Sequence, residues 1–152
     1  MRIAALLILV GTAWASEPES GIWKMNPVRS IVAGATQPRS FIMRLEAHAN
    51  GTVLTVDRIE SDGRATSSST ILYLDGKPRD FEDFRCRGTQ SSHRTDSKGM
   101  EIVRQCANGA STKIDIRPTA SPGGLVLDIT ERDPNGRRSD QRLSLEKQRR
   151  QP

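Results

Sequence analysis

The stretch Ser40-Phe41-Ile42-Met43-Arg44-Leu45-Glu46-Ala47-His48-Ala49-Asn50-Gly51-Thr52-Val53-Leu54-Thr55-Val56 decides the fold. Successive side chains of a strand point to opposite sides, so Phe41, Met43, Leu45 and Ala47 share one face while Ile42, Arg44, Glu46 and His48 share the other. Asn50-Gly51 then supplies two residues that accept positive φ at little steric cost, as a tight hairpin of the favoured hand requires. A second extended run follows the pair.

The same pattern continues outward from this hairpin. Asp62-Gly63, Asp75-Gly76, Lys98-Gly99, Asn108-Gly109, Pro122-Gly123-Gly124 and Asn135-Gly136 separate runs of strand length. Period-two alternation returns at Met100 and Ile102, Ile114 and Ile116, Leu125, Leu127 and Ile129, and Leu143 and Leu145. These signals predict strands over residues 40–48, 52–60, 66–74, 79–86, 89–95, 100–106, 111–117, 124–132 and 138–147, and no window carries a helical stripe. The expected fold is all-β, an antiparallel meander of eight or nine strands. Closing such a sheet on itself removes two unpaired edges, so a barrel is expected rather than a sandwich. A barrel of this size is either filled by side chains or holds one small ligand. The runs Thr66-Ser67-Ser68-Ser69-Thr70 and Thr89-Gln90-Ser91-Ser92 place hydroxyls on both faces and predict a partly wet interior.

Before the strands, Met1-Arg2, the apolar run 3–10 and Ala13-Trp14-Ala15 have the order of a signal peptide over residues 1–15, with cleavage expected after Ala15. The run is shorter than the roughly 20 residues that cross a bilayer, and no cysteine follows to take a lipid. A soluble periplasmic or extracellular product without a stable membrane anchor is expected. Residues 16–39 read as an extended N-terminal segment, 40–148 as the barrel domain and 149–152 as a disordered tail.

The 152 residues suit one domain, and 35% apolar content with 4% aromatics implies a modest core. Losing Arg2 with the leader leaves 22 basic against 18 acidic side chains, a formal charge of +4. The arginines alternate with acids instead of clustering, so a solvated mixed-charge surface is expected and a nucleic-acid partner is not. Cys86 and Cys106 are the two cysteines, and in an exported chain they are expected to form a disulfide. Neither has a Cys or His two to four residues away, as a metal site would supply.

The chain has no nucleophile elbow, phosphate-binding glycine loop or zinc motif. His48 and His93 could share a metal with Asp96 or Asp62 only if their strands were neighbours. Glu82 and Asp83, adjacent on a strand, face opposite ways and cannot act as an acid–base pair. No catalytic residue, metal or cofactor is therefore assigned, and an enzyme is not expected.

The segment Gly21-Ile22-Trp23-Lys24-Met25-Asn26-Pro27-Val28-Arg29-Ser30 resembles the Gly-x-Trp-Lys-x-Asn-x-x-x-Ser opening of small secreted bacterial proteins with a lipocalin-like β-barrel. The likeness continues more loosely through Asp62-Gly63-Arg64, Tyr73-Leu74-Asp75-Gly76-Lys77 and Asp133-Pro134-Asn135-Gly136-Arg137. It implies that Trp23 packs across the closed end of the barrel beneath a basic residue of the last strand, Arg142 or Lys147; the alternative is an ordinary core tryptophan. Pro27 limits any strand after Trp23 to a short one. The resemblance also implies a binding module for a small hydrophobic or amphipathic ligand at the open end, lined by Phe41, Met43, Tyr73, Phe81 and Phe84. The competing expectation is a filled barrel that binds an envelope protein or a polyanion through its surface or an exposed strand edge.

Overall fold

The computed structural model describes residues 19–149, so the expected signal peptide and all but the first residue of the expected tail lie outside the described residues. The nine runs read from the sequence recur as β3 (Ser40–His48), β4 (Gly51–Ile59), β5 (Ala65–Leu72), β6 (Arg79–Glu82), β7 (Arg87–Arg94), β8 (Met100–Cys106), β9 (Ser111–Pro118), β10 (Gly124–Arg132) and β11 (Arg138–Lys147). β6 stops four residues short of expectation because Asp83 turns the chain: its Oδ1 accepts the backbone N–H groups of Arg85 and Cys86 at 2.8 Å each.

The segment 16–39 needs correction. It contains β1 (Gly21–Met25) and β2 (Ile31–Ala33), which bring the described strands to eleven. β1 pairs antiparallel with both β3 and β11, while β2 pairs with β11 further along. β1 is thus the strand that joins the first and last parts of the meander, in the order β5-β4-β3-β1-β11-β10-β9-β8-β7-β6. A five-residue strand before a proline is too short for an alternation signal to be decisive.

The Asn and Ser of the opening motif have a structural role here. Asn26 caps the 3-10 turn Pro27–Arg29 by accepting from the N–H groups of Val28 and Arg29, and Ser30 Oγ donates to the Asn26 carbonyl at 2.8 Å. The same Ser30 oxygen accepts from Ser144 N, and Asn26 N donates to the Ser144 carbonyl, so the turn is fastened to β11.

Inward-facing side chains grade along the barrel. At the floor Leu45, Leu72, Met100, Leu125 and Leu145 are essentially inaccessible and belong to one core cluster with Trp23. Trp23 is 2% exposed, donates from Nε1 to the Glu19 carbonyl at 2.7 Å and lies under Lys147, whose ammonium is 5.3 Å from the ring centroid. Gly21, at φ +133°, leaves room for that lysine, since a Cβ there would sit 2.8 Å from Lys147 Cε. Lys147, not Arg142, is the cation over the indole. Arg142 stands on the outer face of β11, where Asp128 accepts from its Nε at 2.6 Å and its Nη2 at 3.0 Å.

The backbone ladder does not close. β5 and β6 are the ends of the hydrogen-bonded path, and the seam between β5 and β7 is held by fewer bonds. Gln90 Nε2 donates to Thr70 Oγ1 across it, and the crossing chain adds Gly76 N to Ser92 O and Leu74 N to Ser92 Oγ. Polar residues dominate the inward faces at this seam, Thr66, Ser68 and Thr70 on β5 and Gln90 and Ser92 on β7, and their side chains together with the crossing backbone hold the curled sheet there.

Candidate ligand-binding cavity

A cavity of about 570 Å³ opens at the end of the barrel away from Trp23, within the roughly 300–1,000 Å³ of small-molecule sites. Its lower wall is apolar: Met43 of β3, Leu54 and Val56 of β4, Ile114 and Ile116 of β9, Leu127 and Ile129 of β10, with Phe41 of β3 carrying the apolar surface up to the level of Arg58. Its upper wall is ionic and hydroxylated, with Arg58, Thr66, Asp83, Arg104, Thr112 and Glu131. The gradient follows the strand registers. Arg58 stands in phase with Leu54 and Val56, Arg104 with Met100 and Ile102, and Glu131 with Leu127 and Ile129, each one step nearer the mouth.

Cys86 and Cys106 line this mouth and form the expected disulfide, with Cα atoms 5.2 Å apart. The bond ties the loop after β6 to the end of β8, and Phe84 on that loop is 61% exposed at the opening. A recess of about 440 Å³ adjoins the mouth and shares Arg58, Thr66, Phe84, Arg85 and Glu131 with the cavity.

The two arginines of the upper wall are held differently. The Arg58 side chain is 14% exposed, with Nε 2.9 Å from Glu60 Oε1, but its buried N–H has no aligned acceptor. The Arg104 side chain is 15% exposed. Its Nε donates to Gln90 Oε1 at 2.9 Å, and its guanidinium carbon lies 4.4 Å from the centroid of the Phe81 ring. Asp83 Oδ2 is 3.9 Å from Arg104 Nη1, beyond hydrogen-bonding distance. Burial pushes the Arg104 guanidinium below its usual range, only partly opposed by the Asp83 and Glu131 charges.

Of the five residues expected to line a ligand site, Phe41, Met43 and Phe84 border this cavity. Phe81 does not reach the cavity surface; it is buried under Arg104, which does. Tyr73 is elsewhere, at the floor end of the seam, beneath Arg79 at 3.9 Å and beside a recess of about 180 Å³. It misses the cavity because β5 ends at Leu72, and the chain then turns out toward β6. His48 and His93 are exposed on strands that are not neighbours, and among the described residues no group of three or more His, Cys, Asp or Glu could hold a metal. Arg58, Arg104 and Glu131 escaped the sequence reading, although each is a charged residue in phase with an apolar face.

On the outer face arginines meet acids across strands, as Arg44 with Asp57 at 2.8 Å and Arg117 and Arg142 with Asp128. Hydrogen bonds from Arg142 and Arg117 hold the Asp128 carboxyl below the usual range against a smaller opposing effect of burial.

No protein-family model matches the sequence, and no curated protein matches it significantly. Solved structures do match in shape. A secretory abundant heat soluble protein from Ramazzottius varieornatus is similar with a TM-score of 0.59 at 6% identity, over 89% of this chain and 98% of that one. The zebrafish ileal bile acid-binding protein, crystallised with cholic acid, is similar with a TM-score of 0.52 at 10% identity, over 86% of this chain and 99% of that one. At such identities the likeness concerns the fold, and this chain has the curled antiparallel β-barrel architecture those two proteins share.

Proposed function

We propose that this chain is an exported, non-catalytic lipocalin-like module that binds a small amphipathic or hydrophobic molecule in the barrel. The observation that carries the reading is the cavity of about 570 Å³, apolar below and polar at its mouth. A filled barrel, which the competing interaction-protein reading requires, would leave no such space. The bile acid complex of one fold neighbour adds an analogy, weak by itself because fold does not determine function. Export is supported by the order of residues 1–15 and by a disulfide at the mouth, which persists in oxidising compartments.

Native mass spectrometry of the purified processed chain after incubation with a bacterial lipid extract tests the binding reading. Adducts of one small lipophilic molecule per chain are expected; empty protein throughout would refute it. The intact mass of the exported product, expected to begin at Ser16, tests the leader separately.

A further inference from the structure

We propose that Arg104 is the receptor for the head group of the ligand, and that the ligand is a carboxylate-bearing amphiphile with its tail in the apolar lower half of the cavity. This rests on the ligand-binding reading above and gives it a chemical class.

Taking a guanidinium out of water is costly unless an anion and a full set of acceptors receive it. Arg104 has one protein hydrogen bond, from Nε to the neutral amide of Gln90. Its carboxylate neighbour Asp83 stands 3.9 Å away and is already engaged, since Asp83 Oδ1 accepts two backbone N–H groups. Glu131, the other acid on this wall, lies 3.4 Å from Arg85. Arg104 therefore lines the cavity with no hydrogen-bonded acceptor for its Nη groups among the described residues.

The orientation of the guanidinium is built in. Gln90 is 7% exposed and is itself fixed across the seam, donating to Thr70 while accepting from Arg104. The Phe81 ring lies under the guanidinium plane. A relay Thr70–Gln90–Arg104 and one aromatic face thus hold a planar fork beside an apolar chamber, an arrangement that suits two parallel hydrogen bonds to a carboxylate. The neighbouring acids Asp83 and Glu131 disfavour a dianion at the same place more than a single charge.

The test uses the processed chain at pH 7.5, titrated by calorimetry with decanoate, decanol and decyl phosphate. Decanoate is expected to bind at least tenfold tighter than either of the others. Arg104→Gln should lower decanoate affinity at least tenfold and leave decanol within about twofold, and Arg104→Lys should fall between them. Equal binding of decanoate and decanol by the unmodified chain overturns the head-group assignment while leaving the cavity reading intact, as does a parallel loss of both in Arg104→Gln. Failure of all three probes to bind overturns the ligand-binding reading itself. Because the comparison of head groups is made first on the unmodified chain, it does not depend on the variants folding.

Discussion

Replacing Trp23 separates the contributions of the barrel floor. The indole is 2% exposed, and truncating a buried tryptophan to alanine costs about 3–5 kcal/mol through lost burial and the cavity left behind. Its Nε1–H is the donor to the Glu19 carbonyl, and losing a hydrogen-bond partner of a buried group costs about 1–3 kcal/mol. Trp23→Phe keeps a ring and most of the burial but lacks the N–H, so about 1–2 kcal/mol is expected. Trp23→Ala should lose about 4–5 kcal/mol. The cation above the ring is a smaller effect: Lys147→Met, combined with Trp23→Ala in a double-mutant cycle, should show a coupling of about 0.5 kcal/mol at this exposed ammonium. Urea unfolding followed by far-UV circular dichroism reads all of these. Trp14, the other tryptophan, falls within the proposed leader, so emission of a chain that begins at Ser16 reports position 23 alone and should be blue-shifted. A loss for Trp23→Ala below about 2 kcal/mol, or equal to that of Trp23→Phe, would refute the packed floor. Ligand affinity should be unchanged in Trp23→Phe, because Trp23 is not among the cavity-lining residues.

Other substitutions probe other parts of the barrel. Converting Cys86 and Cys106 together to serine opens a loop of 20 residues and should cost about 3 kcal/mol under the chain-entropy account, read as a drop of roughly 10 °C in Tm. Gly88→Ala brings a Cβ to 1.9 Å from the Gln105 carbonyl oxygen, so β7 must shift from β8, at about 1–3 kcal/mol in urea unfolding. Asp128→Asn tests the outer ion cluster: a carboxyl held below its ordinary 3.8 stabilises the fold above that value and loses its contribution as pH falls through the lowered folded value. The difference in Tm between the native chain and Asp128→Asn should therefore be constant from pH 7 to about 5 and shrink toward pH 3. Val56→Trp puts an indole into the cavity and should abolish uptake of decanoate while far-UV circular dichroism keeps its native shape.

What the residues disclosed, and what they hid, follows from which interactions are local. Hairpins are local: a turn signal between alternating runs specifies two registers within about twenty residues, although the connection between β3 and β4 is Ala49-Asn50, one residue earlier than the expected Asn50-Gly51, because Gly51 at φ +150° is already paired with His48. β1 is not local, since its partners on β11 lie some 120 positions away and its five residues carry little pattern. The seam is hidden for the same reason, as nothing near Thr70 signals that it will meet Gln90. Residue type predicts burial better than direction. Phe81 is buried under Arg104, while Tyr73 lies outside the chamber. Direction was legible in phase. On β4, β8 and β10, which all run from floor to mouth, the inward positions read apolar and then charged: Leu54-Val56-Arg58, Met100-Ile102-Arg104, Leu127-Ile129-Glu131. On β9 and β11, which run back, apolar residues lie toward the floor end, as at Ile114-Ile116 and Leu143-Leu145, while β3 stays apolar up to Phe41 at the level of Arg58. A filled barrel has no reason to place ionic side chains on its inward face at one end of alternate strands, because each costs desolvation. A barrel that holds an amphiphile does, since tail and head require such a gradient along the axis.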